Sequence, residues 1–215
     1  MVSDSFSHIR GWVFDLDNTL YPPEIRLFDQ IEQRMTTFMM QELKVDHASA
    51  NRLRQHYWAT YGTTLAGLMQ CHGIEPDPYL HNVHDIDFSV IAPDPNLRDR
   101  IAGLQGRKIV YTNGSRDYAN KVLDARGLSG IFDAVYGVEN ANYRPKPERA
   151  AFEHVFAQDG IDVSTAAMFE DDPRNLAAPF EMGMRTVHVA PQSHASPFID
   201  HHTDDLTAFL TLLGK

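Results

Sequence analysis

The sequence predicts an α/β fold: a doubly wound parallel sheet interrupted after its first strand by an all-helical insertion. Three observations carry this. Short apolar runs alternate with helical stretches from Pro93 onward, residues 21–92 hold helical periodicity without a convincing strand, and strand-like runs end in polar residues. Strands that alternate with helices pair in parallel, because parallel neighbours need crossover connections. Residues 1–20 and 93–215 therefore read as one α/β core, and residues 21–92 as a helical cap inserted into it.

In chain order, Trp12-Val13-Phe14 is the apolar run of a buried strand, ending in Asp15 and Asp17. From Glu24 to Leu43, residues such as Ile25, Phe28, Ile31, Met35, Phe38 and Met39 recur every three or four positions, the stripe of an amphipathic helix. Asp46 is placed to cap a second helix through about Tyr61, Gly62 breaks it, and Leu65 to His72 reads as a third. The prolines of Pro93-Asp94-Pro95 then disfavour continuous helix on either side. Beyond them, Lys108-Ile109-Val110-Tyr111-Thr112 is a strand, and Asp117 to Arg126 a helix ended by Gly127. Ala134-Val135-Tyr136-Gly137 is a short strand, followed by a helix from Glu148 to Gln158 opened by Pro147. Ala166-Ala167-Met168-Phe169 is a strand ending in Glu170-Asp171-Asp172, and Asn175 to Met182 a short helix bent at Pro179. Thr186-Val187-His188-Val189 is a last strand, and Thr203 to Leu213 a helix with Leu206, Phe209, Leu210 and Leu213 on one face.

Composition narrows the function classes. The chain has 215 residues, of which 43% are hydrophobic and 22% charged, enough for a real core and wrong for a disordered protein. With 19 Lys+Arg against 29 Asp+Glu it carries a formal charge of −10 and no Lys/Arg cluster, which excludes a nucleic-acid polymer as partner. A small anionic ligand remains open where a cation, a metal or a helix N-terminus reverses the local field. No apolar stretch approaches the roughly 20 residues needed to span a bilayer, so no membrane partner is expected. The first ten residues lack a signal-peptide apolar region, and the single Cys71 permits no intrachain disulfide; the chain reads as cytoplasmic. Oligomeric state is not legible.

Ligands of open α/β sheets bind at the carboxyl ends of the strands. Those ends carry Asp15-Leu16-Asp17-Asn18-Thr19, then Thr112-Asn113-Gly114-Ser115, then Arg144-Pro145-Lys146-Pro147 in the loop after the third strand, then Glu170-Asp171-Asp172. Asp15 and Asp17 sit two apart, on one side if extended, on different sides if the strand end bends. Carboxylates this close repel, and a divalent cation resolves that; Asp171 can complete an oxygen-rich site of the kind Mg²⁺ prefers. Thr112 offers a hydroxyl near a helix start and Lys146 a compact positive charge, which together suit a phosphoryl group. Each piece alone is an ordinary turn. Four in order, each after a predicted strand, make the set that nucleophilic phosphoryl transfer needs.

These segments resemble the haloacid dehalogenase superfamily. Phe14-Asp15-Leu16-Asp17-Asn18-Thr19-Leu20 is similar to its motif I, Tyr111-Thr112-Asn113 to motif II, Lys146-Pro147 to motif III and Phe169-Glu170-Asp171 to motif IV. The helical insertion resembles a type C1 cap. Phrases such as Tyr61-Gly62-Thr63-Thr64-Leu65-Ala66-Gly67-Leu68 and Pro93-Asp94-Pro95-Asn96-Leu97-Arg98 are similar to the pyrimidine 5′-nucleotidase branch.

The resemblance implies roles. Asp15 would attack phosphorus to form an aspartyl-phosphate; Asp17 would protonate the leaving oxygen and then activate water. Mg²⁺ would be held by Asp15, the Asp17 carbonyl and Asp171. Thr112 and Asn113 would hold phosphoryl oxygens, and Lys146 would steady nucleophile and phosphate. Glu170 and Asn175 would support the site from behind. Two departures stand out: Asp172-Pro173 where Ser or Thr usually follows Asp171, and Tyr118 where a His is frequent.

Haloalkanoate dehalogenases need no carboxyl at the Asp17 position, since halide leaves unprotonated. A phosphonate hydrolase would need a cap lysine, and Lys44 stands at a helix end. The pairs His81 with His84 and His201 with His202, the latter in a polar loop, lack zinc-site spacing, and the eight methionines read as core filling. Tyr57 and Tyr61, on one cap helix, are candidates to stack on a base. The expected activity is Mg²⁺-dependent hydrolysis of nucleoside 5′-monophosphates, UMP and CMP foremost. The alternatives are a sugar-phosphate or phosphoglycolate phosphatase and a non-catalytic binding module.

Overall fold

The computed structural model of the chain describes residues 2–213. Six strands form one parallel sheet: β1 (Gly11–Phe14), β2 (Arg107–Tyr111), β3 (Ala134–Tyr136), β4 (Ala166–Glu170), β5 (Arg185–Val189) and β6 (His201–Thr203), in the spatial order β3-β2-β1-β4-β5-β6. The order reverses at β1, the switch point beside which such sheets bind ligands. Residues along each central strand alternate between two apolar layers. Trp12 and Phe14 point into one with Val110 and Phe169; Val13 points into the other with Ile109, Tyr111 and Met168.

Helices α1 (Val2–Phe6), α6 (Pro95–Ala102), α7 (Arg116–Arg126) and α10 (Leu206–Leu213) contribute Phe6, Leu97, Val122 and Phe209 to the first layer. Helices α8 (Arg149–Asp159) and α9 (Ala177–Glu181) supply Phe152, Val155 and Ala178 to the second. Between β1 and α6 stands the helical cap: α2 (Leu27–Leu43), α3 (His47–Tyr61), α4 (Thr64–His72) and α5 (Pro76–Val83), packed on one another. No helix among the described residues is long and apolar enough to cross a membrane.

The caps explain most boundaries. Asp46 accepts from the Ser49 amide to start α3, Thr63 from the Ala66 amide to start α4, and Ser115 from the Tyr118 amide to start α7. Four expectations need correction. The first cap helix begins at Leu27, after a 3₁₀ turn over Pro23–Ile25 and a left-handed Arg26. Helix α5 adds an element to the three expected in the cap; it opens on Pro76 and Pro78, which a first helical turn tolerates because it has no amide bonds for proline to remove. For the same reason α6 starts at Pro95, with Asp94 accepting from the Leu97 amide at 3.0 Å. His201 and His202 lie on the edge strand β6 rather than in a loop, so the last helix starts at Leu206.

Candidate active site

The strand register brings the polar signatures together. Phe14 pairs with Val110 on one side and Phe169 on the other, so Asp15, Thr112 and Glu170 emerge at one edge of the sheet. The Asp15 amide still donates to the Phe169 carbonyl at 2.9 Å, which fixes that residue as the last point of sheet geometry. After it the chain bends: Asn18 has φ 59°, and the Thr19 and Leu20 amides both turn back to the Leu16 carbonyl. This bend separates the two aspartates, which meet different partners.

Asp15 accepts from Lys146 Nζ at 2.7 Å on one oxygen and from the Thr19 hydroxyl at 3.1 Å on the other. Asp17 Oδ1 accepts from two phenols, Tyr21 at 2.6 Å and Tyr118 at 2.5 Å. Burial, then the Asp15 charge, pushes the Asp17 carboxyl up to about 6 against the opposing pull of both phenols. Lys146 is 1% exposed and donates to Asp15, to Glu170 Oε2 at 2.6 Å and to the Tyr111 carbonyl at 3.1 Å, which uses all three of its protons. Burial alone would lower its pKa, but Asp15 and Glu170 outweigh that and hold the ammonium above its usual range.

Thr112 is buried, and its hydroxyl oxygen accepts from the Gly114 amide at 3.0 Å. The Asn113 side chain does not face the substrate space as a free group: it accepts from the Lys146 amide at 2.8 Å and donates to the Lys146 carbonyl at 3.0 Å. Its work is to fix the backbone that carries the lysine. Asp171 accepts from Asn18 Nδ2 at 3.2 Å, while Asp172 is taken up by Arg174 through contacts of 2.6 to 3.1 Å. Of the two adjacent aspartates, only Asp171 joins the central cluster, because Asp172 turns away to cap the following 3₁₀ turn. Asn175 is buried beside it, its Oδ1 without a partner among the described residues.

One oxygen each from Asp15, Glu170 and Asp171 lie within 4.8 Å of one another. Counting Asp17, four carboxyl groups face one buried ammonium. Burial first, then Asp15, pushes the Glu170 carboxyl up to about 7; burial, Asp15 and Glu170 push that of Asp171 well above the carboxylate range. Excess negative charge in an oxygen-only site fits a hard divalent cation such as Mg²⁺.

Above the carboxylates, a cavity of about 720 Å³ opens between core and cap, with Phe28, Met35, Arg54, Trp58 and Tyr79 among its walls. Trp58 extends the cap toward the core: the Arg174 guanidinium lies 3.6 Å from its ring centroid. Tyr57 and Tyr61, the expected base-stacking residues, are not among those that line it. Tyr57 is packed on α4, where the absence of a side chain at Gly67 admits its ring, and its hydroxyl bonds His72 Nε2 at 2.6 Å. The Tyr61 hydroxyl accepts from the Cys71 thiol at 3.4 Å. Thr19 lies in the strand-end signature without a role assigned to it, and no signal in the sequence singles out Tyr21, Arg54 or Tyr79. For Tyr118 the available signal was its place in the first turn after Ser115, facing the strand ends.

His84 closes one wall. Its ring stacks on Tyr118 with centroids 4.3 Å apart, and its Nδ1 lies 3.1 Å from the Ser115 hydroxyl. Burial, then the Lys121 charge, lowers its pKa from 6.5 to about 3. A histidine kept neutral in the fold takes up a proton on unfolding below about pH 6.5, so its contribution falls as pH drops from there toward 3. The carboxyls of Asp17, Glu170 and Asp171, with raised values, act in the opposite sense. Between pH 7.5 and 5, His84→Asn should therefore lose less stability than the native chain, by up to about 2 kcal/mol. Urea midpoints at both pH values measure this, and equal losses would show that His84 is not held neutral.

Similarity to known proteins agrees with this geometry. A family model described as haloacid dehalogenase-like hydrolase matches residues 9–183. Phosphate metabolism protein 8 of Saccharomyces cerevisiae is 29% identical over 192 residues, covering 80% of this chain; the chain spans 58% of that relative's length. A HAD phosphatase from Thermococcus onnurineus is similar with a TM-score of 0.65 and 17% identity, over 96% of this chain and 98% of that one. The L-2-haloacid dehalogenase from Xanthobacter autotrophicus with chloropropionic acid covalently bound has a TM-score of 0.53 and 18% identity, over 95% and 88%. At such identities the two structures speak for the fold alone.

Proposed function

The chain belongs to the haloacid dehalogenase-like hydrolases, and from that membership we propose that it is a Mg²⁺-dependent phosphomonoesterase acting on nucleoside 5′-monophosphates, the pyrimidine ones UMP and CMP foremost. Its catalytic core is residues 1–20 and 93–215, and its cap residues 21–92. The observation that carries phosphate-ester over halide chemistry is the second carboxyl, Asp17, held by two phenols just past the buried Asp15. An alkoxide leaving group needs a proton; a halide does not.

Asp15 is the nucleophile, oriented by Lys146 and Thr19. Its oxygen bonds phosphorus as the ester P–O bond breaks, and Asp17 gives its proton to the departing oxygen. Asp17 then takes a proton from the water that attacks the aspartyl-phosphate, releasing phosphate and restoring Asp15. Asp15, the Asp17 carbonyl and Asp171 are the groups that would hold Mg²⁺. Bound there, the ion supplies positive charge against the phosphate oxygens. The Thr112 hydroxyl and the main chain at Asn113 receive those oxygens, while Glu170 and Asn175 keep Lys146 and Asp171 in place. The yeast relative's name, Phosphate metabolism protein 8, supports phosphate chemistry.

Phosphate release from UMP, CMP, dUMP, AMP, GMP, several sugar phosphates and phosphoglycolate, with and without Mg²⁺, tests this. Preference for UMP and CMP supports it, preference for sugar phosphates keeps the mechanism and discards the nucleotide, and silence throughout leaves a binding module. Tyr118→Phe removes one of the two donors on Asp17, and kcat should fall roughly tenfold with KM little changed. An unchanged kcat would remove Tyr118 from the positioning of the acid.

A further inference from the structure

The cavity wall that faces the carboxylates is largely apolar, with Phe28, Ile31, Met35 and Leu80 in it. Polar side chains of the cap interrupt this surface, among them Glu32 from α2, Arg54 and Gln55 from α3 and Tyr79 from α5. Arg54 Nη1 donates to Glu32 Oε1 at 2.6 Å. The buried Arg54 Nε and the buried Tyr79 hydroxyl have no partner among the described residues. Tyr79 is only 1% exposed, its ring seated edge-on against Phe38 at 5.0 Å between centroids. Folded proteins rarely leave a buried hydroxyl or guanidinium N–H unpaired, and here two such groups line the same cavity.

Charge says what kind of group they await. Arg54 and Glu32 cancel, so this wall is not a second anion site, and the carboxylate of a phosphoglycolate-type substrate would find no uncompensated cation there. A bare sugar would lay its hydroxyls against apolar side chains. An uncharged, flat head fits better: its faces suit the apolar wall and its edge carries hydrogen-bond acceptors.

We propose that Tyr79 and Arg54 are specificity-determining residues that donate hydrogen bonds to ring carbonyl oxygens at the far end of the substrate, an oxo-heterocycle joined to the phosphate through its sugar. This rests on the nucleotide reading above and deepens it, since it assigns recognition to helices α3 and α5 and not to the tyrosines first suspected. The cavity of about 720 Å³ is within the size of small-molecule sites.

The test compares kcat/KM for UMP with that for ribose 5-phosphate, which lacks the base, in the native chain, Tyr79→Phe and Arg54→Gln. The native chain should prefer UMP. Tyr79→Phe should cut that preference about tenfold, through KM, because it removes one hydrogen bond to the base. Its thermal midpoint should hold or rise, since an unpaired hydroxyl is lost. Arg54→Gln should shift the ratio in the same direction, and carries the test alone if Tyr79→Phe does not fold. A native preference for UMP that both variants leave intact overturns the assignment while the nucleotide reading stands. A native chain that hydrolyses both esters without preference overturns the nucleotide reading, and the assignment with it. Equal losses on both substrates with a lowered midpoint would reduce Tyr79 to a structural part of the cap.

Discussion

Asp15→Asn is expected to lower phosphate release by a factor of roughly 10⁴ or more, the scale on which loss of a covalent nucleophile is felt. The same change should not harm the fold. An asparagine oxygen can still accept from Lys146 Nζ, which reaches Asp15 at 2.7 Å, and the Thr19 hydroxyl can accept from the new amide where it now donates at 3.1 Å. Repulsion also eases, because Asp15, Glu170 and Asp171 place carboxylate oxygens within 4.8 Å of one another. Without Mg²⁺ the variant's thermal midpoint should therefore equal or exceed that of the native chain, and Mg²⁺ should raise it less. Activity and melting curves on the same preparations separate these effects. Turnover near the native rate would remove Asp15 as nucleophile, and a collapsed midpoint would mean that its charge holds the fold together.

The strand ends are legible in the sequence for a physical reason. A parallel sheet buries both faces, so its strands must be apolar runs, and the first polar residue after each run marks the edge where a ligand can sit. Asp15, Thr112 and Glu170 announce themselves in this way, and the register then needs only to align Phe14 with Val110 and Phe169. Proline misled where position mattered more than identity: Pro95 begins a helix, at a place where no intrahelical amide bond exists to be lost.

Cap residues are harder to read because a helix turns about 100° per residue and only packing sets its phase. Tyr57 and Trp58 are neighbours in sequence. The bare backbone at Gly67 draws Tyr57 into the contact between α3 and α4, which leaves Trp58 to line the cavity under Arg174. The two phenols on Asp17 come from positions 4 and 101 residues away along the chain, and no local pattern marks such a pairing. Asn113 shows the remaining limit: its place after a strand signals the site, while its amide edge is spent on the Lys146 backbone.

Lys146→Met should be the most damaging single change for stability. Among the described residues, the lysine is the only side chain that brings positive charge into the group of Asp15, Glu170 and Asp171, and its Nζ bonds two of them at 2.7 and 2.6 Å. Methionine fills similar volume but leaves those carboxyls buried without a counter-charge, a loss of about 3–5 kcal/mol for one partner of a buried pair. The pH dependence has a definite sign. Without the ammonium, the folded-state pKa of Glu170, already raised by burial, rises further above its unfolded value, and that of Asp171 stays raised, so stability is retained at low pH and lost as pH rises through them. The gap between variant and native chain should thus be wide at pH 8 and narrow at pH 5, and Mg²⁺ should reduce it at pH 8 by supplying the missing positive charge. Urea midpoints at the two pH values, with and without Mg²⁺, measure all three effects. Turnover should fall roughly 10³-fold even where Mg²⁺ restores the fold, because only the Thr19 hydroxyl then orients Asp15. A gap independent of both pH and Mg²⁺ would mean that the lysine acts through packing of its stem, and the electrostatic account of the site would have to be abandoned.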